Sequence, residues 1–306
     1  MISDYVAEPE PGISYACSDG MQTTVRTPVR CSGVGLHSGN SVHISLYPAD
    51  PDTGIVFRRK DMETRLAPGA LCATQRCTSL RMGESRLDTV EHLLAALHAA
   101  EVDNVIIEVD GDEVPILDGS ARPWMELLDD SGIIVHDVLR TVVKLHGPVA
   151  VVDGASCVVA APADRLRIRC VTHFDHPLLG TQTGDFVITP ATFRDQLAPA
   201  RTFGFEDEIE ALSAQGLARG ATLDNALLIS RNGYSRSLRY HDECLRHKVV
   251  DLIGDLFVLG RPLRAEVIAV RPGHRINGLL TRRLSAGAGS EIPIDRVSQR
   301  LEGVRT

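Results

Sequence analysis

The sequence predicts an α+β fold of two similar domains, each a layer of helices packed on a β-sheet, with a site between them. Two observations predict it: a series of strand-like segments on each side of about residue 140, and one strongly apolar helical segment late in each series. A helix that is apolar on almost every side belongs in the interior of a domain. Because the two helices hold comparable places in their series, we expect a duplicated unit whose halves face each other across a cleft.

The chain of 306 residues is long enough for two hydrophobic cores. Residues 1–20 are rich in Pro, Gly, Ser and acidic residues, which predicts a flexible N-terminal extension. We place an N-terminal α+β domain at 21–140 and a C-terminal α+β domain at 141–306.

The first domain is expected to contain four strands and one key helix. Alternating or continuous apolar residues predict the strands 43–47, 54–58, 104–109 and 114–118, and the apolar segment predicts a helix over 88–100.

The second domain is expected to repeat this arrangement around a second apolar helix, 246–256. The strands predicted from the same patterns are 142–145, 150–152, 156–160, 166–171 and 264–270.

Composition argues against several classes of function. The net charge of −8 argues against a broad nucleic-acid surface but leaves room for a basic pocket that receives an anionic small molecule. The seven cysteines are scattered without a C-x-x-C pair, which is typical of reduced thiols in a cytoplasmic protein. The N-terminus lacks the pattern of a signal peptide, and no run of about 18 apolar residues predicts a membrane span. We therefore expect a cytoplasmic monomer with no transmembrane segment and no nucleic-acid partner.

Polar residues inside the two apolar helices are the strongest functional signal, because burying them is costly unless something engages them. His247 and Asp251 are four residues apart, so their side chains share one helix face and can reach one cation. Glu91 and His92 add a carboxylate able to take a proton from water and a further ligand. Two histidines and one aspartate leave a fourth position open for water, which is the arrangement of a catalytic zinc.

Each of these residues also has a purely structural interpretation. Glu91 could be a first-turn glutamate favoured by the helix dipole, and His92 and His247 could be hydrogen-bonded core histidines. Lys248 could pair with Asp251 or Asp255 at a partly exposed edge. Only the combination of the two helices favours a metal site over these separate interpretations.

Six motifs follow one another along the chain. They are GVGLHSG (33–39), TVEHL (89–93), PILDGSA (115–121), ARTFGF (200–205), RHK with Asp251 and GDL (246–256), and GH (273–274). With these motifs the chain resembles the zinc-dependent UDP-3-O-acyl-N-acetylglucosamine deacetylases of lipid A biosynthesis in Gram-negative bacteria. The resemblance runs from about Met21 almost to the C-terminus.

The resemblance implies that His92, His247 and Asp251 bind one catalytic zinc ion and that Glu91 is the general base. Ferrous iron is the alternative metal in the cell. The implied reaction is hydrolysis of the acetamide of UDP-3-O-(3-hydroxyacyl)-N-acetylglucosamine, which releases acetate and the free amine as the committed step of lipid A biosynthesis.

The resemblance adds four residues to the catalytic site. His274 is implied as the cationic group facing the developing oxyanion, Thr202 as a hydroxyl donor to it, and Lys248 and Asp255 as supporting polar residues. Asp255 could orient His274 and raise its pKa by opposite charge. Either Glu91 or His274 could protonate the leaving amine.

The acylated UDP-sugar requires a basic contact, a stacking surface and an apolar passage. The resemblance places Phe174 as the aromatic that stacks on uracil, and Lys248 with Arg271 near the diphosphate. Phe174 could instead be a core aromatic at the end of a strand.

Further substrate contacts are expected in the segment that follows. They are Phe203, Glu208 at a sugar hydroxyl, and Leu217, Ala221 and Ala226 along the acyl-chain passage. The passage residues could instead be plain helix and strand packing. Glu208 stands where the family is expected to have aspartate, which keeps the charge but lengthens its reach.

Two rival functions remain at this point. One is a zinc hydrolase of another small amide, and the other is a non-catalytic protein that binds a metal or a nucleotide sugar. Glu91 distinguishes an enzyme from a binding protein, because a site that only binds needs no base beside an open metal position. His37 and Cys77 are expected to be structural rather than catalytic.

Overall fold

The computed structural model describes residues 12–72 and 76–286. Its strands, in chain order, are β1 Ile13–Val25, β2 Val29–Val34, β3 Ser41–Tyr47, β4 Ile55–Arg59, β5 Met62–Arg65, β6 Leu80–Met82, β7 Ser85–Leu87, β8 Val105–Val109, β9 Ile133–Leu145, β10 Val149–Asp153, β11 Ser156–Pro162, β12 Arg167–Phe174, β13 Gly180–Val187, β14 Phe203–Phe205, β15 Leu227–Ser230, β16 Gly233–Tyr234 and β17 Leu263–Val270. Its helices are α1 Glu91–Ala99, α2 Arg122–Ser131, α3 Pro190–Thr192, α4 Ile209–Ala214, α5 Glu243–Phe257 and α6 His274–Ala286.

Two sheets with the same topology organise the molecule. The first has the order β2-β3-β8-β4-β5, with only the β8–β4 pair parallel. The second contains the order β10-β11-β17-β12-β13, with only the β17–β12 pair parallel. In each half the key helix, α1 or α5, immediately precedes the strand at the centre of the sheet, β8 or β17. The predicted α+β fold is confirmed, and the two halves share one unit.

Each half carries its own additions to the shared unit. The hairpin β6–β7 precedes α1, whereas α3, α4 and the small sheet β14-β15-β16 precede α5. The ribbon β1–β9 joins the second sheet where β9 pairs with the start of β17. None of the helices in the described part of the chain combines the length and apolar character that a membrane span requires.

Most predicted elements have counterparts, with two corrections. The strand predicted at 114–118 is wrong: these residues form only an isolated bridge, from Gly35 to Pro115, because proline removes a backbone donor and Leu117 has a positive φ of 54°. The flexible extension predicted at 1–20 is wrong for residues 13–20, because they belong to β1, in which Ile13 and the residues after it pair with β9. Residues 1–11 lie outside the described residues.

The division of the chain into domains at 140/141 stays a prediction. β9 runs through this point and pairs with β1 on one side and β17 on the other. A single strand therefore connects the two halves without an intervening linker.

Helices α1 and α5 pack against each other in the core, and one glycine marks their closest approach. A Cβ atom added to Gly254 would lie 2.0 Å from the carbonyl oxygen of Glu91. Only a residue without a side chain lets the two helices come this close. Since both helices carry polar site residues, this contact sets the spacing between the two halves of the site.

We expect Gly254→Ala to lower the free energy of unfolding by about 2 kcal/mol or more, because the added methyl group must push α1 and α5 apart. Urea unfolding monitored by circular dichroism measures this. The matched control is Gly278→Ala in α6, where an added Cβ meets nothing within 4 Å. That variant is expected to be neutral or stabilised by up to about 1 kcal/mol. Equal unfolding midpoints for the two variants would contradict the close-approach argument.

Candidate active site

The beginning of α1 is held in place by a buried glutamate. Thr89 has a positive φ of 60°, an unfavourable conformation for a β-branched residue. Its hydroxyl donates to Glu113 Oε1 at 2.8 Å, and the same carboxylate accepts the backbone N–H groups of His37 and Ser38 at 2.9 and 2.8 Å. Glu113 therefore ties His37 and Ser38, which follow β2, to Thr89, two residues before α1 begins at Glu91.

Three side chains from the two apolar helices converge on one point. The metal-binding atoms of His92, His247 and Asp251 lie within 4.8 Å of one another, and all three residues are buried. Asp251 Oδ1 is 3.6 Å from His92 Nε2 and 3.3 Å from His247 Nε2. The predicted i, i+4 pair on α5 thus meets the histidine of α1.

The chemistry of this donor set fits a divalent metal ion. Asp251 Oδ1 is buried and has no hydrogen-bond partner, which is costly unless a cation engages it. His247 Nδ1 lies 3.1 Å from the carbonyl oxygen of Ala200 and donates to it, so Nε2 carries the lone pair that faces Asp251. Burial lowers the pKa of His247 to about 4, which keeps the ring in the neutral form that binds metals.

The two carboxylate oxygens of Asp251 differ because only one of them contacts Lys248. Its Nζ donates to Asp251 Oδ2 at 2.7 Å, which leaves Oδ1 for the ion. Burial by itself would raise the pKa of Asp251, but His247 and Lys248 hold it well below its usual value. Burial by itself would lower the pKa of the Lys248 amine. The negative charge of Asp251 has the larger effect and raises that pKa. The aspartate is therefore ionised as a ligand must be.

Glu91 precedes His92, one of the three residues that could hold a metal ion, and faces His274. Its Oε2 accepts the backbone N–H of Thr78 at 3.0 Å, and its Oε1 is 3.7 Å from His274 Nε2. Burial raises the pKa of the Glu91 carboxyl, which increases its basicity. A carboxylate in this environment can act as a general base near neutral pH.

His274 is held as a cation by Asp255. Its Nδ1 donates to Asp255 Oδ2 at 3.0 Å, and the same oxygen accepts Asn277 Nδ2 at 2.8 Å. Burial by itself would lower the pKa of His274, but Asp255 and Glu91 raise it to about 9. Asp255 therefore orients the ring and favours its protonated form.

The 200–205 segment is tied to both halves. A buried ion pair anchors it to α5, where Glu243 accepts the backbone N–H and the guanidinium of Arg201 at 3.0 and 2.8 Å. The backbone N–H of Thr202 donates to the carbonyl oxygen of Gly119 at 2.7 Å. Two of the six motifs, 115–121 and 200–205, therefore meet at Thr202.

A cavity of about 420 Å³ opens beside these residues and is lined from both halves of the molecule. Most sequence-predicted site residues line it: Glu91, His92, Phe174, Thr202, Phe203, Glu208, Ala221, Ala226, His247, Lys248, Asp251, Arg271 and His274. Two do not. Asp255 does not line the cavity but accepts a hydrogen bond from His274, which does. Leu217 does not line it either, whereas Leu212 does.

The cavity also contains contacts that the sequence did not reveal. Phe205 completes an aromatic cluster in which Phe174 and Phe203 pack edge to face with ring centroids 5.6 Å apart. At the rim, Arg76 donates twice to the Glu208 carboxylate, at 3.1 and 3.0 Å. No local pattern marks the contacts of Phe174 with Phe205 and of Arg76 with Glu208, because the two members of each pair are distant in sequence.

The two residues expected to be structural have defined places. His37 lines the cavity, and its Nδ1 accepts the backbone N–H of Ala218 at 3.4 Å. Cys77 is buried, and burial raises the pKa of its thiol to about 12, so it stays neutral at physiological pH.

A buried group of two histidines and one aspartate, an adjacent basic carboxylate and a cavity between two duplicated halves together define the class of a metal-dependent hydrolase. Residues 22–286 match the model of the LpxC family, described as UDP-3-O-acyl N-acetylglycosamine deacetylase. The chain belongs to this family of deacetylases.

Several relatives are similar over most of the chain. A UDP-3-O-acyl-N-acetylglucosamine deacetylase of Syntrophotalea carbinolica is 40% identical over 87% of this chain and 88% of its own length. Proteins of the same name from Oleidesulfovibrio alaskensis and Chlamydia abortus are each 42% identical over 86% of this chain, and over 88% and 96% of their own lengths. The relatives therefore support an enzyme rather than a binding-only protein.

Proposed function

We propose that this protein is a zinc-dependent deacetylase of UDP-3-O-(3-hydroxyacyl)-N-acetylglucosamine. It releases acetate and the free amine, as the committed step of lipid A biosynthesis. The observation that carries the proposal is the buried group of His92, His247 and Asp251 with Glu91 beside it in the wall of a cavity. The substrate is supported by the family match and by the names of the relatives.

His92, His247 and Asp251 would hold the metal, and the unpartnered Asp251 Oδ1 supports this ligand set. Zinc bound there supplies Lewis-acid polarisation of the acetamide carbonyl and lowers the pKa of water toward about 7. Zinc is proposed because two nitrogen ligands and one carboxylate suit it, with ferrous iron as the alternative.

The protein's own groups move the protons. Glu91 takes the proton of the attacking water through Oε1, since the backbone N–H of Thr78 holds Oε2. Protonated His274 stabilises the negative charge that develops on the carbonyl oxygen, together with the Thr202 hydroxyl. Either Glu91, which has taken the proton of the water, or protonated His274 then gives a proton to the leaving amine.

The remaining cavity residues would bind the rest of the substrate. Phe174 stacks on uracil, and Arg271 and Lys248 neutralise the diphosphate. Glu208, at the rim, contacts the sugar, and Phe203 packs beside it. The acyl chain passes over Ala221 and Ala226, whose small side chains line the cavity wall.

We further propose that the enzyme acts in the cytoplasm as a monomer and binds no nucleic acid. Free thiols at all seven cysteines support a reducing compartment. The net charge of −8 supports the absence of a nucleic-acid partner.

The pH dependence of kcat/KM is expected to be bell-shaped. The rate rises on the acid side as Glu91 ionises. His274, whose pKa is raised to about 9, is protonated below that value and loses its proton as the pH rises through it, so activity falls on the alkaline side. Asp255→Asn removes the main cause of the raised pKa and should shift the alkaline limb to lower pH. A wild-type rate that keeps rising beyond pH 9 would rule out an essential protonated His274.

Incubation of the zinc-loaded protein with acylated UDP-N-acetylglucosamine tests the proposal, with release of acetate as the readout. UDP-N-acetylglucosamine without the acyl chain is the matched control and should react much more slowly if the cavity binds that chain. Failure to release acetate from the acylated sugar, with release from another small amide, would favour the first rival function.

A further inference from the structure

Thr78 makes polar contacts with both halves of the active site. It lies just before β6 and is only 1% exposed. Its backbone N–H donates to Glu91 Oε2 at 3.0 Å, and its carbonyl oxygen accepts the backbone N–H of Val90 at 3.3 Å. Its hydroxyl donates to Asp255 Oδ1, a residue of α5 in the other half. Through its backbone N–H, its carbonyl oxygen and its hydroxyl, Thr78 therefore contacts Glu91, Val90 and Asp255.

The direction of the hydroxyl hydrogen bond follows from the chemistry of its partner. A carboxylate oxygen accepts hydrogen bonds, so the Thr78 hydroxyl donates to it. The Asp255 carboxylate then receives three donors: the Thr78 hydroxyl on Oδ1, and His274 Nδ1 and Asn277 Nδ2 on Oδ2. The last two come from α6, so among these donors only Thr78 comes from the first half of the chain.

The geometry of the proposed base and cation depends on these contacts. With Oε2 engaged by the Thr78 backbone, the free Oε1 of Glu91 faces His274 Nε2 at 3.7 Å. With Oδ1 engaged by the Thr78 hydroxyl, Asp255 directs Oδ2 to the opposite nitrogen of the same ring. Thr78 therefore contacts both carboxylates between which the imidazole ring is held.

We propose that Thr78 is a positioning residue for catalysis, which fixes the relative placement of Glu91 and the Asp255–His274 pair across the two halves. The inference rests on the proposed roles of Glu91 and His274 as base and cation. Thr78 touches neither substrate nor metal in this account. It acts by holding Glu91 and His274 where both can reach the same substrate carbonyl.

The variants Thr78→Val and Thr78→Ser separate this role from simple packing. Valine has nearly the same shape and keeps the backbone N–H, but it cannot donate to Asp255. Serine restores the hydroxyl without the methyl group. We expect Thr78→Val to lower kcat about 10- to 100-fold, because small misplacements of catalytic groups are costly. KM and metal content should stay within about twofold of wild type, and Thr78→Ser should recover most of the lost kcat.

Thr64→Val is the matched control. The Thr64 hydroxyl also donates one hydrogen bond, to the carbonyl oxygen of Arg81 at 2.7 Å, but Thr64 does not line the cavity. This variant should keep wild-type kcat. Thr78→Ala, which removes the hydroxyl without adding bulk, replaces Thr78→Val if urea unfolding shows that the valine variant is not folded.

Four outcomes would overturn the inference: wild-type kcat in Thr78→Val, equal loss in the serine and valine variants, a change confined to KM, or loss of the metal. The wild-type assay keeps this test separate from the test of function. Absence of acetate release by the wild-type enzyme rejects the proposed substrate. An active wild type with an equally active Thr78→Val rejects only the positioning role.

Discussion

Asparagine in place of Asp251 is expected to leave a folded protein that binds no zinc and has at least about 1,000-fold lower kcat, since the metal supplies several kcal/mol of transition-state stabilisation. The substitution keeps the size of the side chain but removes the charge that faces His92 and His247 at 3.6 and 3.3 Å. It also leaves Lys248, now 2.7 Å from Asp251 Oδ2, without its anionic partner. A cation at this position would then be opposed by the lysine rather than attracted by the aspartate.

Metal content per chain, measured by elemental analysis after purification with excess zinc, tests this expectation. Asp130→Asn is the matched control, since Asp130 is exposed on α2 and does not line the cavity. His92→Ala should also lose the metal. This substitution removes a proposed ligand on α1, whereas Asp251→Asn changes one on α5. Full zinc occupancy in both Asp251→Asn and His92→Ala would disprove the ligand assignment.

Glutamine in place of Glu91 is expected to keep the metal and to lower kcat by at least about 100-fold. The amide has the size of the carboxylate, and its oxygen can still accept the Thr78 backbone N–H that now reaches Oε2 at 3.0 Å. It cannot take a proton from water. Because Glu91 is not one of the three side chains that converge on the metal position, zinc should remain bound.

The assay for Glu91→Gln combines zinc content with the kcat for acetate release. Glu108→Gln, a change at an exposed glutamate of β8, is the matched control and should behave as wild type. Wild-type turnover in Glu91→Gln would remove the proposed base. Loss of zinc with loss of activity would instead make Glu91 a metal ligand or a support for one.

Local sequence patterns were sufficient for the elements that carry the chemistry. The spacing of His247 and Asp251 places them on one face of any helix they form, and the structure has them on α5. The apolar surroundings of Glu91 and His92 predicted a buried helix, and both residues are buried on α1. The strands that alternate or run continuously apolar were also found, because their pattern reflects the burial of each face.

Other features depend on residues that are distant in the chain, and no local pattern encodes them. The strand predicted at 114–118 failed because Pro115 and Ile116 make only single backbone contacts, with Gly35 and Val34, and form no continuous ladder with β2. Leu217 was expected in the acyl passage, but the cavity wall is formed by Leu212, whose carbonyl oxygen accepts the Leu217 backbone N–H at 2.9 Å. The pairing of β1 with β9 was missed because it joins residues more than 100 positions apart.

The sequence by itself determined which side chains were available for chemistry and on which helix face they stand, since helical periodicity is a local property. Only the tertiary structure decided that the two helices meet. Gly254 brings α5 against the Glu91 carbonyl oxygen, and Thr78 joins Glu91 to Asp255 across the two halves. These contacts follow from the packing of the whole core, in which each helix is placed by all of its neighbours at once.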